Sequence, residues 1–167
     1  MSNNEIEYRA HLAWVGNLGH GTAKYDEYGR NYRVKIAGKP DMESSAGTAF
    51  RGDPSRHDPE DHFLAAVSGC HMLSYLALCA KHRIVVTAYE DEADGTLKLA
   101  AGGGYFEAVV LHPVVTITRE EDRKKALRLH ETAHKRCFIA NSCSVPIAHE
   151  AGIRVQPSTV LEGGARS

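Results

Sequence analysis

Residues 57–83 read HDPEDHFLAAVSGCHMLSYLALCAKHR, and this stretch decides the fold. Asp58 is a good helix N-cap, and Pro59 suits the first helical position. Glu60 and Asp61 suit the positive end of the helix dipole. From Phe63 to Leu78 almost every face is apolar or small, the pattern of a helix buried on all sides. A central buried helix is therefore expected, with Cys70 in its middle.

On the N-terminal side, residues 1–5 read as a frayed end. Ile6, Tyr8, Ala10, Leu12 and Trp14 alternate with other residues, which predicts a strand over 6–15. Gly16, Gly19 and Gly21 mark a turn. Strands are expected over 22–27 and through Tyr32, Val34 and Ile36, as a meander. Residues 38–57 show no period and read as a long functional loop. On the C-terminal side three strand-like segments follow: IVVTAYEDEA from 84, TLKLAAGGG from 96 and YFEAVVLHPVVTI from 105. Asp94-Gly95 signals a hairpin turn, and Pro113 an edge or bulge. Residues 118–142, TREEDRKKALRLHETAHKRCFIANS, open with a capping box of Thr118 and Glu121. Ala126, Leu129 and Ala133 give that segment helical spacing, with Cys137 near its C-terminal end. A last strand is expected from Gly152 to Gln156. The order β-β-β-α-β-β-β-α-β predicts an α+β fold with two long helices and a mostly antiparallel sheet.

The chain has 167 residues, which suits a single domain over 1–167, with an ordered core of about 6–156 and a tail at 157–167. A formal net charge of −1 and scattered basic residues argue against nucleic acid as partner. No signal peptide and no apolar run of membrane-spanning length is read, so a cytoplasmic protein without a membrane partner is expected. Thiols stay reduced there unless they do redox work.

The four cysteines, Cys70, Cys79, Cys137 and Cys143, form no CxxC pair and no zinc-ribbon spacing. A buried cysteine is ordinarily inert packing. Nine helical residues turn Cys79 to the face opposite Cys70, so those two cannot line one site. Cys70 stands apart by its surroundings. Ser68 and Gly69 beside it are small. Arg51 and Arg56 lie in the preceding loop, and Glu60 opens the helix. A thiolate attacks peroxide, a guanidinium stabilises it, and a carboxylate can grip that guanidinium.

With these residues on the page, HDPEDHFLAAVSGCHML resembles the signature of the OsmC/Ohr family. There an Asn-Pro-Glu starts the central helix, and the peroxide-attacking Cys follows the Glu by ten residues, as Cys70 follows Glu60. The family's second Cys closes the second long helix in an Ala-His-x-x-Cys-Pro context, which AHKRCFIAN matches at Cys137. The resemblance runs from about residue 6 to 156. It implies an OsmC-like fold forming an intertwined homodimer. It also implies a thiol-dependent peroxidase acting on organic hydroperoxides, and less well on hydrogen peroxide. Cys70 would become a sulfenic acid, Cys137 would resolve it as a disulfide, and a dithiol or thiol protein would reduce the pair. No cofactor or metal is implied. Arg51, in FRGDP, best matches the family's arginine, with Arg56 and Arg30 as alternatives. Asp58, His71 and Phe138 depart from the family's Asn, aromatic and Pro.

Ten residues of straight helix span about 15 Å. Glu60 therefore reaches Cys70 only if the helix breaks, or if Glu60 and Arg51 act on the Cys70 of a second subunit. Phe63, Leu64, Val67, Leu73, Phe138 and Ile139 suggest an apolar approach, or plain core. Other readings stand beside this one. His130, His134 and Cys137 share one helix face and, with Cys70 or His71, would suit a tetrahedral metal site. The thiols could be inert in a non-catalytic protein. Hydrolysis by Cys70 and His71 is disfavoured because neighbours on a helix do not face each other. Cys143 is the rival resolving thiol.

Overall fold

The computed structural model describes residues 5–156, so the expected tail at 157–167 lies outside the described residues. The chain divides into two compact units, Met1–Phe63 and Leu64–Ser167.

In the first unit, β1 (His11–Trp14), β2 (Tyr32–Lys35) and β3 (Met42–Ser44) form an antiparallel sheet in the order β1-β2-β3. Leu12 faces Val34 in the register, and Val34 faces Met42. The meander is present, but its members differ from expectation. Residues 22–27 form turns rather than a strand. The reason is Arg30, whose guanidinium lies over the rings of Tyr25 and Tyr28 and donates to both their carbonyls. That closes the segment on itself and takes its backbone out of any ladder. The third strand instead comes from the segment expected to be loop.

A 23-residue helix, α1 (Pro59–Lys81), follows. Asp58 caps it as expected: Asp61 N–H donates to Asp58 Oδ1 at 2.8 Å, and Asp58 N–H donates back to Asp61 Oδ2 at 3.3 Å. Val67, His71, Tyr75, Leu78 and Cys79 form its buried stripe. The expectation of burial on all sides fails in the single chain, since Leu73 is 64% exposed. By length and composition alone, α1 could also cross a bilayer.

The second unit holds two three-stranded sheets. β4 (Val86–Asp91), β7 (Pro113–Ile117) and β9 (Gly152–Val155) run in the order β4-β7-β9. β5 (Asp94–Ala100), β6 (Gly103–Leu111) and β8 (Ile147–His149) run in the order β5-β6-β8. β6–β8 and β7–β9 are parallel, and the other pairings are antiparallel. The segment 105–117 is thus two strands, broken at His112, with Pro113 opening β7, where its missing N–H costs least. His112 N–H donates to Asp91 Oδ1 at 2.7 Å, and Glu150 N–H donates to Leu111 O at 2.8 Å.

Asp94-Gly95 is not a hairpin turn. Both residues pair within β5, opposite Val110 and Val109. Gly95 is needed there for close packing, because a Cβ would sit 2.7 Å from the Phe106 ring. The tight turn lies further on, between Ala100 and Gly103, where Gly102 has φ +89.

α2 (Arg123–Arg136) is preceded by a 3-10 turn at Glu120–Asp122. The expected capping box does not form. Thr118 N–H still donates to Val85 O, and neither Arg119 nor Asp122 makes a side-chain cap. Short α3 (Phe138–Asn141) follows. One apolar cluster joins Tyr75, Leu78 and Cys79 of α1, Val115 and Ile117 of β7, and Ala126, Leu129 and Ala133 of α2.

Candidate active site

Two helices bring two thiols together. Cys70 lies half-buried near the middle of α1. Cys137 ends α2 with extended backbone, φ −70 and ψ 110, and starts α3, its sulfur accepting the Ala140 N–H at 3.4 Å. Cys137 is 1% exposed. Burial, and after it a hydrogen bond with the Cys70 thiol, push the Cys137 thiol up to about 11. Both cysteines are free thiols, so this is a reduced pair.

The other two cysteines point elsewhere. Cys79 is buried in the apolar cluster, and burial raises its thiol pKa. Cys143 directs its sulfur to Ala140 O at 3.5 Å. Of the three other thiols, Cys137 is the one whose pKa carries a contribution from Cys70.

α1 is continuous, so ten residues at 1.5 Å rise place Glu60 about 15 Å from Cys70 along their shared helix. Of the two geometries expected for Glu60, the broken helix is not the one observed. Arg51 is exposed and holds a left-handed backbone, φ 66, at the end of a 3-10 turn. Gly52 N–H donates to Gly47 O at 3.1 Å, and a Cβ at Gly52 would run into Ala46 O. Among the described residues the Arg51 guanidinium has no hydrogen-bond or ionic partner. Its two alternatives are occupied. Arg56 pairs with Glu43 at 2.8 Å and Asp53 at 3.2 Å. Arg30 is held by its tyrosines.

The sequence reading missed two features around Cys70. Ser68, expected only to clear space, donates its hydroxyl to Asp91, which also takes the His112 N–H. One carboxylate thereby ties α1 to the break between the two sheets. The second feature is a histidine cluster. His71 Nε2 lies 3.0 Å from His130 Nδ1, both residues are essentially unexposed, and the rings stack. Tyr75 stacks on His130 with ring centroids 3.9 Å apart. His149 packs against His71, His130 and His134. Burial first, and then neighbouring histidines, hold His71 down at about 4 and His130 at about 3. The alternative reading of His130, His134 and Cys137 as one metal-binding face gains no support: His130 turns to His71, and no group of three such residues that could hold a metal occurs among the described residues. The sequence signal for the pairing was His71 itself, a titratable group beside a candidate nucleophile.

Of the residues suggested for an apolar approach, Val67 is fully buried and belongs to the core. Phe138 is 81% exposed.

Comparison with known proteins gives one consistent result. The sequence matches the profile of the OsmC-like protein family over residues 52–150. Nothing among curated proteins matches. Among solved structures, an OsmC-like protein of unknown function from Vibrio cholerae is 30% identical, with a TM-score of 0.78 over 88% of this chain and 99% of that one. An organic hydroperoxide resistance protein from Elizabethkingia anophelis is 20% identical, with a TM-score of 0.65 over 92% and 99%. An OsmC-like protein from Mycoplasma pneumoniae is 11% identical, with a TM-score of 0.68 over 91% and 99%. At these lower identities the likeness is one of fold.

Proposed function

The chain belongs to the OsmC-like protein family, and from that premise we propose that it is a thiol-dependent peroxidase reducing organic hydroperoxides. The observation that carries this is the closeness of the two thiols: the Cys70 side chain lies near enough to Cys137 to raise its pKa. Two thiols that meet across separate elements are placed to exchange a disulfide without rebuilding the fold.

The chemistry runs in two steps. Cys70 as thiolate attacks the terminal peroxide oxygen. A sulfur–oxygen bond forms, the O–O bond breaks, and the alkoxide takes a proton and leaves as an alcohol. Cys70 is then a sulfenic acid. Cys137 attacks that sulfur, the S–S bond forms, and hydroxide leaves with the Cys137 proton as water. The raised pKa and the burial of Cys137 support the reading in which Cys70 attacks and Cys137 resolves. Two external thiol equivalents return the pair to the reduced state.

Arg51 stabilises the Cys70 thiolate in this reading, and Glu60 holds Arg51 by a forked carboxylate contact. The unbroken α1 supports their acting on the Cys70 of a second chain in a homodimer. The exposed Leu73 and Phe138 favour organic over inorganic peroxide. The test is turnover with cumene hydroperoxide and with hydrogen peroxide, using dithiothreitol or dihydrolipoamide as reductant. The organic peroxide should react faster, and Cys70→Ser should turn over neither. Full activity in Cys70→Ser would return the thiols to inert packing.

A further inference from the structure

Each of the two long helices carries one imidazole in a buried stripe that is otherwise apolar or aromatic. On α1 the stripe is Val67, His71, Tyr75, Leu78 and Cys79; on α2 it is Ala126, Leu129, His130 and Ala133. The two rings meet. His71 Nε2 lies 3.0 Å from His130 Nδ1, and the residues are 1% and 0% exposed. A polar pair at facing positions of two apolar helix stripes sets their register, because apolar contact has no direction and a hydrogen bond has one. Small side chains such as Ala126 and Ala133 tolerate several offsets of α1; the two nitrogens tolerate one. A slip of one helical turn, about 5.4 Å, parts them and leaves buried polar atoms without a partner. Two further rings seat the pair. Tyr75 stacks on His130 at 3.9 Å, and His149 of β8 packs against both histidines.

This register is also that of the thiols. Cys70 directly precedes His71. Cys137 follows His130 by seven residues, about two helical turns, and so lies over nearly the same face of α2. A disulfide joins sulfurs whose β-carbons come within about 4 Å. An offset of one turn between α1 and α2 exceeds that tolerance. Attack on peroxide uses Cys70 alone and does not depend on the offset.

We propose that His71 and His130 are positioning residues for the Cys70–Cys137 disulfide, acting on its closure and not on peroxide attack. The proposal rests on the peroxidase reading for the oxidant. In the step they govern, the Cys137 sulfur attacks the Cys70 sulfenic sulfur. The S–S bond forms, the S–O bond breaks, and hydroxide leaves with the Cys137 proton as water. The imidazoles take no part in these bond changes; they hold the two helices at the offset that brings the sulfurs together.

The test separates register from stability. In His71→Leu/His130→Phe both imidazoles give way to apolar groups of similar size, and a ring stays on Tyr75. Replacing a buried polar pair as a whole leaves no group unpaired, so urea unfolding at pH 7.5 should show stability equal to wild type or higher. Closure is followed by acid quench, alkylation and intact mass, once after cumene hydroperoxide and once after diamide. With the hydroperoxide, Cys70 sulfenic acid, trapped by dimedone, should form at the wild-type rate. Its conversion to the disulfide should slow about tenfold or more, and closure with diamide should slow to match. His130→Asn places an amide where Nδ1 lies and should close within about threefold of wild type. Leu129→Ala, beside His130 in the same stripe, should lose stability and keep its closure rate. Wild-type closure in the double variant would overturn the proposal, as would equal slowing in Leu129→Ala. Should the double variant not fold, His130→Phe against His130→Asn decides: slow closure in the first and fast in the second supports the proposal, and equal rates overturn it. If diamide closure slows as stated but hydroperoxide leaves wild-type Cys70 unoxidised, the peroxidase reading falls and the positioning pair stands.

Discussion

Cys70 and Cys137 are chemically the same side chain and differ only in surroundings. One is half-buried on a helix face; the other is enclosed and caps a short helix through its sulfur. In the proposed reading the half-buried thiol attacks and the enclosed one resolves, and mutants can test those roles. Cys70→Ser should abolish turnover. Cys137→Ser should complete one turnover and then leave Cys70 open to sulfinic acid, seen by intact mass. Cys79→Ser and Cys143→Ser should retain activity, because neither sulfur faces Cys70. The proposed role of Arg51 predicts that Arg51→Met raises the Cys70 pKa and slows peroxide attack roughly tenfold or more at neutral pH. Arg51→Lys should rescue little, since a point charge cannot replace the planar fork. Glu60→Gln should act in the same direction more weakly. The pH profile of Cys70 alkylation by iodoacetamide measures all three, and an unchanged profile in Arg51→Met would remove it from the site.

At the scale of elements, α1 and α2 meet through His71 and His130 as well as through the thiols. The pair is buried and neutral, with His71 Nδ1 and His130 Nε2 left unbonded. His149 and His134 press on it with like charge when protonated, Asp91 acts on His71 in the opposite direction, and Tyr75 covers His130. The folded pKa values, about 4 and about 3, lie below the ordinary 6.5 of an unfolded histidine. In the window between, the unfolded chain binds more protons than the folded one. Stability is therefore full above about pH 6.5 and is lost as pH falls toward about 4, at up to about 1.4 kcal/mol per pH unit for each histidine. Urea unfolding between pH 7.5 and pH 5 should show this slope, and His130→Phe, which keeps the stack with Tyr75, should flatten it. A parallel slope in His130→Phe would mean the acid sensitivity lies elsewhere.

For the whole molecule, the proposal places Arg51 and Glu60 of one chain at the Cys70 of another. Exposed apolar side chains such as Val85, Leu99 and Tyr105 give the single chain surface that association would cover. An obligate homodimer is expected by sedimentation at micromolar concentration, and a stable active monomer would refute it. Mixed dimers test the geometry more sharply. Cys70→Ser and Arg51→Met chains, each inactive or slow alone, should regain activity when co-expressed, because one site then has both intact residues. Absence of complementation in verified mixed dimers would place the arginine in its own chain's site.

What the sequence determined by itself were the features written locally. Asp58, Pro59 and the apolar run produce α1 because caps and composition act within a few residues. Cys70 and Cys137 stand out in the sequence because their spacing from Glu60 and the second helix is itself a linear pattern. Strand patterning around 84–117 was legible as well, but the partners of those strands were not. Asp94-Gly95 carries the local signature of a turn, yet Phe106 claims the glycine's empty side for packing. Thr118 and Glu121 carry the signature of a cap, yet the Thr118 N–H is already committed to Val85. In both cases a contact from outside the local window outweighed a propensity worth about 1 kcal/mol. Residues 22–27 were expected as a strand, yet nearby Arg30 closes them over Tyr25 and Tyr28, a local contact that strand patterning does not register. The His71–His130 pair belongs with the non-local contacts. Its residues lie 59 positions apart and are brought together only when α2 packs on α1 and buries what each helix alone would leave in water.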